Sequence, residues 1–517
     1  MSHNGLLQNA APKTPFPPGL EVHLAHGGDA CPNCAKSDHD IFNWDDPDDR
    51  TDDIDPSDFP EESSIPIVMD RPTTTIVDKS GVHLICIKYC KCPGAVTHDK
   101  QLFEMGMFPA SFNRPKTAFT FVVLDDFLLD NLECGTSAMN YYSKLRRLTS
   151  SIFPLLVPDR YREMMRVARQ WRQCKLYKWY GLAHDSQEPS QGELALFCPT
   201  CPQPGINMDL PNGDEIDDSL VWMYSRTLVM DGNFKAEHLH PVNPADEISL
   251  MDRLGFMVSN PTYKWHLSLV QETIQRSECN NHRAVNQANA SRHNLEAMGI
   301  GGQMNMDYAL CQALQHNSGG LTQAITFYDI NCQYHKHLQE RVDRSPHLAL
   351  PPDMAITPGI GLWHIHGHQD CCYPCYASNF IAGAARIDGE IMETLWALLN
   401  VISPSARGMS TPHCKEVLDY QMNDCNFMKM IWMSKFLCRK LKEALRGVAD
   451  SQLAFRQLND AADPDLVTHW EAQERIAHEE RAADPKAMDI YEVRLEKAPS
   501  RKQQELALLN AYDNEIS

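Results

Sequence analysis

Three acidic residues far apart in a chain of 517 residues stand where chemistry is expected: Asp231, Asp329 and Glu390. Asp231 falls at the end of an apolar run that reads as a strand (225–234, SRTLVMDGNF), and Asp329 closes a second one (324–329, AITFYD). Glu390 opens a helical pattern that runs to Asn400, with Ile391, Leu395 and Leu398 on one side. Carboxylates gathered at strand ends repel and raise one another's pKa unless a cation sits between them. Magnesium suits such a site because it prefers hard oxygen ligands. Two ions held about 3.5–4 Å apart can grip a phosphodiester, activate an attacking oxygen and stabilise the leaving one. Acids at strand ends are also common turn formers, and spacing alone does not separate the two readings.

A second set of residues points to soft-metal chemistry. The sequence contains 18 cysteines, and their spacing suggests reduced thiols, some of them metal ligands, rather than a disulfide framework. Cys198 and Cys201 have zinc-knuckle spacing, and Cys90 and Cys92 supply another thiolate pair. Together they could complete a four-thiolate tetrahedral site. Cys31 and Cys34 could instead join either pair. His364, His366 and His368 alternate, so a strand would face all three one way, and His366 and His368 with Cys372 could take zinc. The competing reading is a hydrogen-bonded structural role.

The elements that must position these groups divide the chain into four parts. Residues 1–80 read as a largely extended arm, with twelve Asp/Glu against one Arg between Ser37 and Glu62. Such a run is a solvated tail or a mimic of nucleic acid. A strand-like piece at 20–24 alternates ahead of Cys31. Residues 81–197 look compact: 81–89 (GVHLICIKY) alternates as a strand, and 119–127 (FTFVVLDDF) fits strand or helix. Residues 198–435 alternate between strand-like and helical segments, the pattern of an α/β domain, with 254–259 as a further strand. Residues 436–517 read as exposed, charged helices broken at Pro464, Pro485 and Pro499.

The formal charge of −21 argues against a nucleic-acid surface on average, yet the block from Lys144 to Lys178 holds ten Lys/Arg against two acids. Arg162, Arg166, Arg169 and Arg172 step by four, three and three and share one helical face, extended by Lys175. Such a face suits backbone phosphates, or is simply a salt-bridged surface. No apolar run approaches the roughly 18–20 residues needed to span a bilayer, and the first residues lack a signal-peptide core, so a soluble intracellular protein is expected.

A series of ordered motifs then resembles the Kyakuja-Dileera-Zisupton (KDZ) transposases with the CxC cysteine-cluster domain that precedes them. GVHLICIKYCKCPG (81–94) and QLFEMGMFPASFNRPKTAFTF (101–121) resemble the cysteine cluster. FCPTCPQPGINM (197–208), MDGNFK (230–235), YDINCQYHKH (328–337), WHIHGHQDCC (363–372) and DGEIMETLWALLN (388–400) resemble the transposase. The resemblance implies an α/β protein with a ribonuclease-H-like catalytic domain, a mixed sheet flanked by helices. It further implies a helical, cysteine-containing N-terminal domain and exposed C-terminal helices. It implies DNA cleavage and strand transfer of the DDE type with two Mg²⁺ or Mn²⁺ ions on Asp231, Asp329 and Glu390, with Glu393 as the alternate third acid. Double-stranded DNA (transposon ends and target) as partner follows from the same likeness, and nuclear residence from that substrate; structural Zn²⁺ is the expectation from the cysteine spacing, and assembly with further copies is a possible addition. The alternative is an inactive or domesticated derivative that binds DNA or protein as a zinc-stabilised module.

Overall fold

The computed structural model describes residues 20–33, 73–184, 188–211, 218–232, 237–239, 248–269, 279, 295–298, 303–385, 387, 389 and 391–492. The acidic run, Cys34, Pro499 and Glu390 lie outside these residues. The N-terminal part is built on a five-stranded sheet rather than on helices alone. Its strands are β1 (Glu21–His23), β2 (Thr74–Asp78), β3 (Gly81–Lys88), β4 (Met107–Pro109) and β5 (Thr117–Thr120), in the order β1-β3-β2-β5-β4. β2 and β3 form a hairpin, while β1 lies parallel to β3 with Glu21 opposite Cys86 and His23 opposite Lys88.

The ambiguous apolar run at 119–127 resolves into both candidates. β5 ends at Thr120, whose hydroxyl accepts from the Val123 amide at 3.1 Å and starts the helix Phe121–Cys134. That is an N-cap bond, and a left-handed Gly135 stops the helix one residue past its end. The apolar residues of this helix, Val123, Leu124 and Phe127, pack with Phe119, Tyr141, Leu145, Val167 and Trp171 in one core.

The second sheet orders three parallel strands as β10-β9-β6: β6 (Ser225–Met230), β9 (Gln323–Tyr328) and β10 (Ala355–Gly359). Two short strands, β7 (Glu237–Leu239) and β8 (Leu295–Met298), pair separately and antiparallel. β9 is buried from Ala324 to Tyr328, as a central strand with both faces covered must be. The helix Gln303–Gln315 covers it with Leu310, Cys311 and Leu314, tied to the helix Leu338–Arg344 by Arg341, which donates to buried Asp307 at 2.7 and 2.9 Å.

Residues 254–259 are turns, not a strand. The amides of Phe256 and Met257 donate to Asp419 Oδ1 at 2.8 and 3.1 Å instead of to a neighbouring strand. Asp419 belongs to a helix that runs unbroken from Thr411 to Asp460, across the boundary expected near 435. Pro464 and Pro485 each open a new helical segment, where a missing amide hydrogen costs nothing.

The same long helix and the helix Phe121–Cys134 together take up much of the expected basic face. Arg169 donates to Glu416 at 2.7 and 2.9 Å, and Arg172 is 1% exposed, its guanidinium donating to Asn131. Lys175 pairs with Asp125 at 2.7 Å and lies over the Trp171 ring, and Arg166 donates to the Ala110 carbonyl. Arg162 and Arg166 are exposed. Most of the row therefore docks the helix Tyr161–Trp179 inside the protein, because buried Glu416 and Asn131 offered partners that no helical spacing could reveal.

Asp419 makes the packing of this helix pH-dependent. Burial raises its carboxyl from the usual 3.8 to about 7, against the two backbone donors that favour the ionised form. Between those values the folded chain holds a proton that the unfolded chain has released. The stabilisation is full below about pH 4 and is lost as the pH rises through about 7. The melting temperature of the wild type is expected to fall from about pH 5 to 8 relative to that of Asp419→Asn, whose amide stays neutral. Parallel slopes for the two proteins would refute the assignment.

Candidate active site and metal centres

Parallel register brings Asp231 and Asp329 together. Met230 lies opposite Tyr328, so the next residue of each strand leaves the same end of the sheet on adjacent strands, which run about 4.8 Å apart. Asp231 Oδ2 accepts from the Trp396 indole N–H at 2.7 Å, and its Oδ1 accepts from the Gly232 amide at 2.7 Å. Asp329 Oδ2 lies 3.4 Å from His364 Nε2. Buried Tyr328 sits behind both acids: burial raises its hydroxyl pKa most, and the charges of Asp231 and Asp329 raise it further.

Trp396 stands on the helix Ile391–Ala406, one turn after exposed Glu393. Residues three apart share a helix face, so the helix that presents Glu393 is anchored to the first acid. Gly389 leads into this helix at φ +81°, and a Cβ there would meet the Cα of Gly361 at 2.6 Å. That close approach sets Gly389 against Gly361, three residues before His364. Trp396 is thus tied directly to the first candidate acid, and its position three after Glu393 was the available signal. Trp396→Phe should keep the packing and lose the bond to a charged oxygen, worth about 1.5–3 kcal/mol. Divalent-metal affinity or cleavage rate is expected to fall roughly tenfold or more, with a melting temperature lower by only a few degrees; an unchanged affinity and rate would contradict this.

The cysteine pairs do not assemble as their spacing suggested. Cys90 and Cys92 gather with His26 and Cys31. Cys31 Sγ is 3.9 Å from Cys90 Sγ and 3.7 Å from Cys92 Sγ, and His26 Nε2 is 3.2 and 3.5 Å from the same two sulfurs. Tetrahedral zinc with Zn–S near 2.3 Å and Zn–N near 2.0 Å requires edges of about 3.8 Å between sulfurs and about 3.5 Å from nitrogen to sulfur. The donor set and its edges fit zinc. Parallel pairing is again the cause, since the chain following β1 emerges beside the chain following β3. Hydrogen bonding to Cys90 and then to Cys31 pushes the Cys92 thiol up to about 11.

Cys198 and Cys201 join neither centre among the described residues. They form their own turn, in which a bond from Cys201 lowers Cys198 to about 5 and Cys201 is raised in return; Arg226 acts on Cys201 through its charge. The four-thiolate site expected from Cys90, Cys92, Cys198 and Cys201 is therefore corrected to Cys31, Cys90, Cys92 and His26.

A second group holds Cys279, Cys332, His368 and Cys372. His368 Nδ1 lies 3.4 Å from both Cys279 Sγ and Cys332 Sγ, again near a zinc edge. The three histidines do not share a strand face, because 362–365 is a short helix. His364 turns to Asp329, His366 stacks on Tyr373 at 5.6 Å, and His368 alone reaches the cysteines. His366 thus lies outside this group, which instead takes in Cys279 and Cys332. Cys332 follows Asp329 by three residues, so the second centre adjoins the acids in the chain.

Residues 61–152 match the family described as the CxC2-like cysteine cluster associated with KDZ transposases. Residues 300–426 match the Kyakuja-Dileera-Zisupton transposase family. Neither the curated proteins nor the solved structures contain a match. The first match holds Cys90 and Cys92; the second holds Asp329, His364, Cys332, His368, Cys372 and Glu393, while Asp231 enters through strand pairing. Two segments of the chain, in this order, are therefore similar to a CxC2-like cysteine cluster and to a Kyakuja-Dileera-Zisupton transposase domain.

Proposed function

We propose that this protein cuts and joins DNA strands at transposon ends by DDE-type, two-metal-ion chemistry on a ribonuclease-H-like domain. The observation that carries the reading is the register of β6 on β9, which sets Asp231 beside Asp329 at one end of a parallel sheet. Asp231 and Asp329, with Glu390 or Glu393 from the entry to the next helix, would hold Mg²⁺ or Mn²⁺, whose hard-oxygen preference fits this donor set. Bound there, the ions supply Lewis acidity and charge neutralisation for an in-line displacement at phosphorus.

The side chains around the acids do the positioning. Trp396 fixes one oxygen of Asp231 and the Gly232 amide fixes the other, and each oxygen keeps a lone pair for a cation. His364 stands against Asp329 and, when protonated, partly offsets its charge. The two cysteine–histidine centres would each take a structural zinc, one holding the N-terminal arm and one the segments around Asp329. Double-stranded DNA would be the substrate, further copies of the chain would pair the two ends, and the nucleus would be the place of action. Labelled DNA incubated with the purified chain and Mn²⁺ or Mg²⁺ tests the reading. Metal-dependent strand cleavage is expected; binding without cleavage under every divalent ion would favour instead a zinc-stabilised binding module, for which the two centres already argue.

A further inference from the structure

The basic row expected at 162–175 is largely consumed by internal contacts, which leaves a DNA-handling protein of net charge −21 in need of another cationic surface. The outer part of the long helix Thr411–Asp460 supplies one. Between Phe427 and Ala449 it carries Lys429, Lys435, Arg439, Lys440, Lys442 and Arg446 against the single acid Glu443, a net charge of +5. All six cations are exposed.

Lys435, Arg439, Lys442 and Arg446 step by four, three and four, so they form one stripe along the helix, about 16 Å long at 1.5 Å per residue. Their competing partners are weak. Glu443 touches Arg439 at 3.7 Å and Lys440 at 3.3 Å, both exposed pairs of the kind that contributes little. Aromatic rings hold the cations in place: Lys435 lies over Trp432 at 4.7 Å, and Arg439 and Lys440 lie over Phe436 at 5.5 and 5.8 Å. Such contacts are favourable at exposed sites and leave the outward N–H groups able to donate. The apolar seam of the same helix, with Leu437, Leu441 and Val448, lies on the opposite side.

We infer that this stripe of Lys435, Arg439, Lys442 and Arg446 is a binding surface for the phosphate backbone of duplex DNA. The inference deepens the DNA reading above by naming the surface that holds the substrate. It predicts affinity without base selectivity, because phosphate contacts fix position and carry no sequence information. Four contacts would contribute about 3.6 to the slope of log affinity against log salt, hence a loss of roughly a hundredfold between about 50 and 200 mM salt.

The test measures binding of the full chain to a fluorescent duplex of about 40 base pairs across that salt range. The variant carries K435Q, R439Q, K442Q and R446Q together; circular dichroism and melting should match the wild type, since every altered side chain is exposed. The expected result is a slope lower by about 3 and an affinity at low salt lower by at least tenfold. An unchanged slope overturns the proposal. So does a loss of affinity at constant slope with a change in sedimenting mass, which would assign the stripe to contacts between copies. Asp231→Asn separates the two proposals: it should bind DNA with the wild-type slope even where cleavage has been lost or was never present.

Discussion

Asp231→Asn is expected to lower metal-dependent DNA cleavage by about a thousandfold or more, while leaving zinc content, DNA binding and the melting temperature close to wild type. The amide is isosteric and its oxygen can still accept from Trp396, so the contact given up is the local one from the adjoining Gly232 amide, which then faces an NH2 group. What disappears is the negative charge that a divalent ion needs. A metal contribution of several kcal/mol to the transition state translates, at 1.36 kcal/mol per tenfold, into a loss of this size. Asp329→Asn should behave alike, since its strand is the register partner of the first. Cleavage by Asp231→Asn within threefold of wild type would remove these acids from the mechanism. A fall in melting temperature would show that the residue holds the fold, which an acid placed beside another acid is poorly suited to do.

The second large effect concerns zinc. The purified chain is expected to bind two zinc ions, one per cysteine–histidine centre, and Cys31→Ala and Cys372→Ala should each remove one of them. Cys31→Ala should undock the arm 20–33, whose only described strand is the three-residue β1 at the edge of its sheet. Three edge residues and the buried side chain of Leu24 are a small anchorage, so a zinc ion would be the main fastening, and the loss is expected to be on the order of 5 kcal/mol. Thiolates must be deprotonated to ligate, so both ions should be released as the pH falls, and a chelator should reproduce the effect at neutral pH. Metal counting with thermal melting checks this. A chain that holds no zinc, and melts alike with and without chelator, would leave the two groups as ordinary buried thiols.

Cys372→Ala should also report on the acids. Cys332 is three residues beyond Asp329 and His368 four beyond His364, so a metal at the second centre would brace both partners of the Asp329–His364 contact. Loss of that ion is expected to weaken Mn²⁺ binding at the acids, whereas loss of the first is not.

Much of this was legible in the amino-acid order. The two apolar runs ending in Asp231 and Asp329 are strands because β-branched and aromatic residues crowd them, and the first helical turn near Glu393 follows from its apolar spacing. The order of motifs was enough to suggest the family found at 61–152 and 300–426. The expectation for the N-terminal part was too helical, because short strands such as β4 and β5 leave little periodicity to read.

Which residues meet across the chain was decided by tertiary structure alone. Cys90 and Cys92 met His26 and Cys31, not Cys198 and Cys201, because parallel pairing of β1 with β3 opens both segments at one sheet edge. Arg169 and Arg172 became internal struts because Glu416 and Asn131 arrived from distant helices. Side-chain type and local spacing declare what a residue can do; strand register and helix docking decide what stands within about 4 Å of it, where metal coordination is possible and charge acts most strongly.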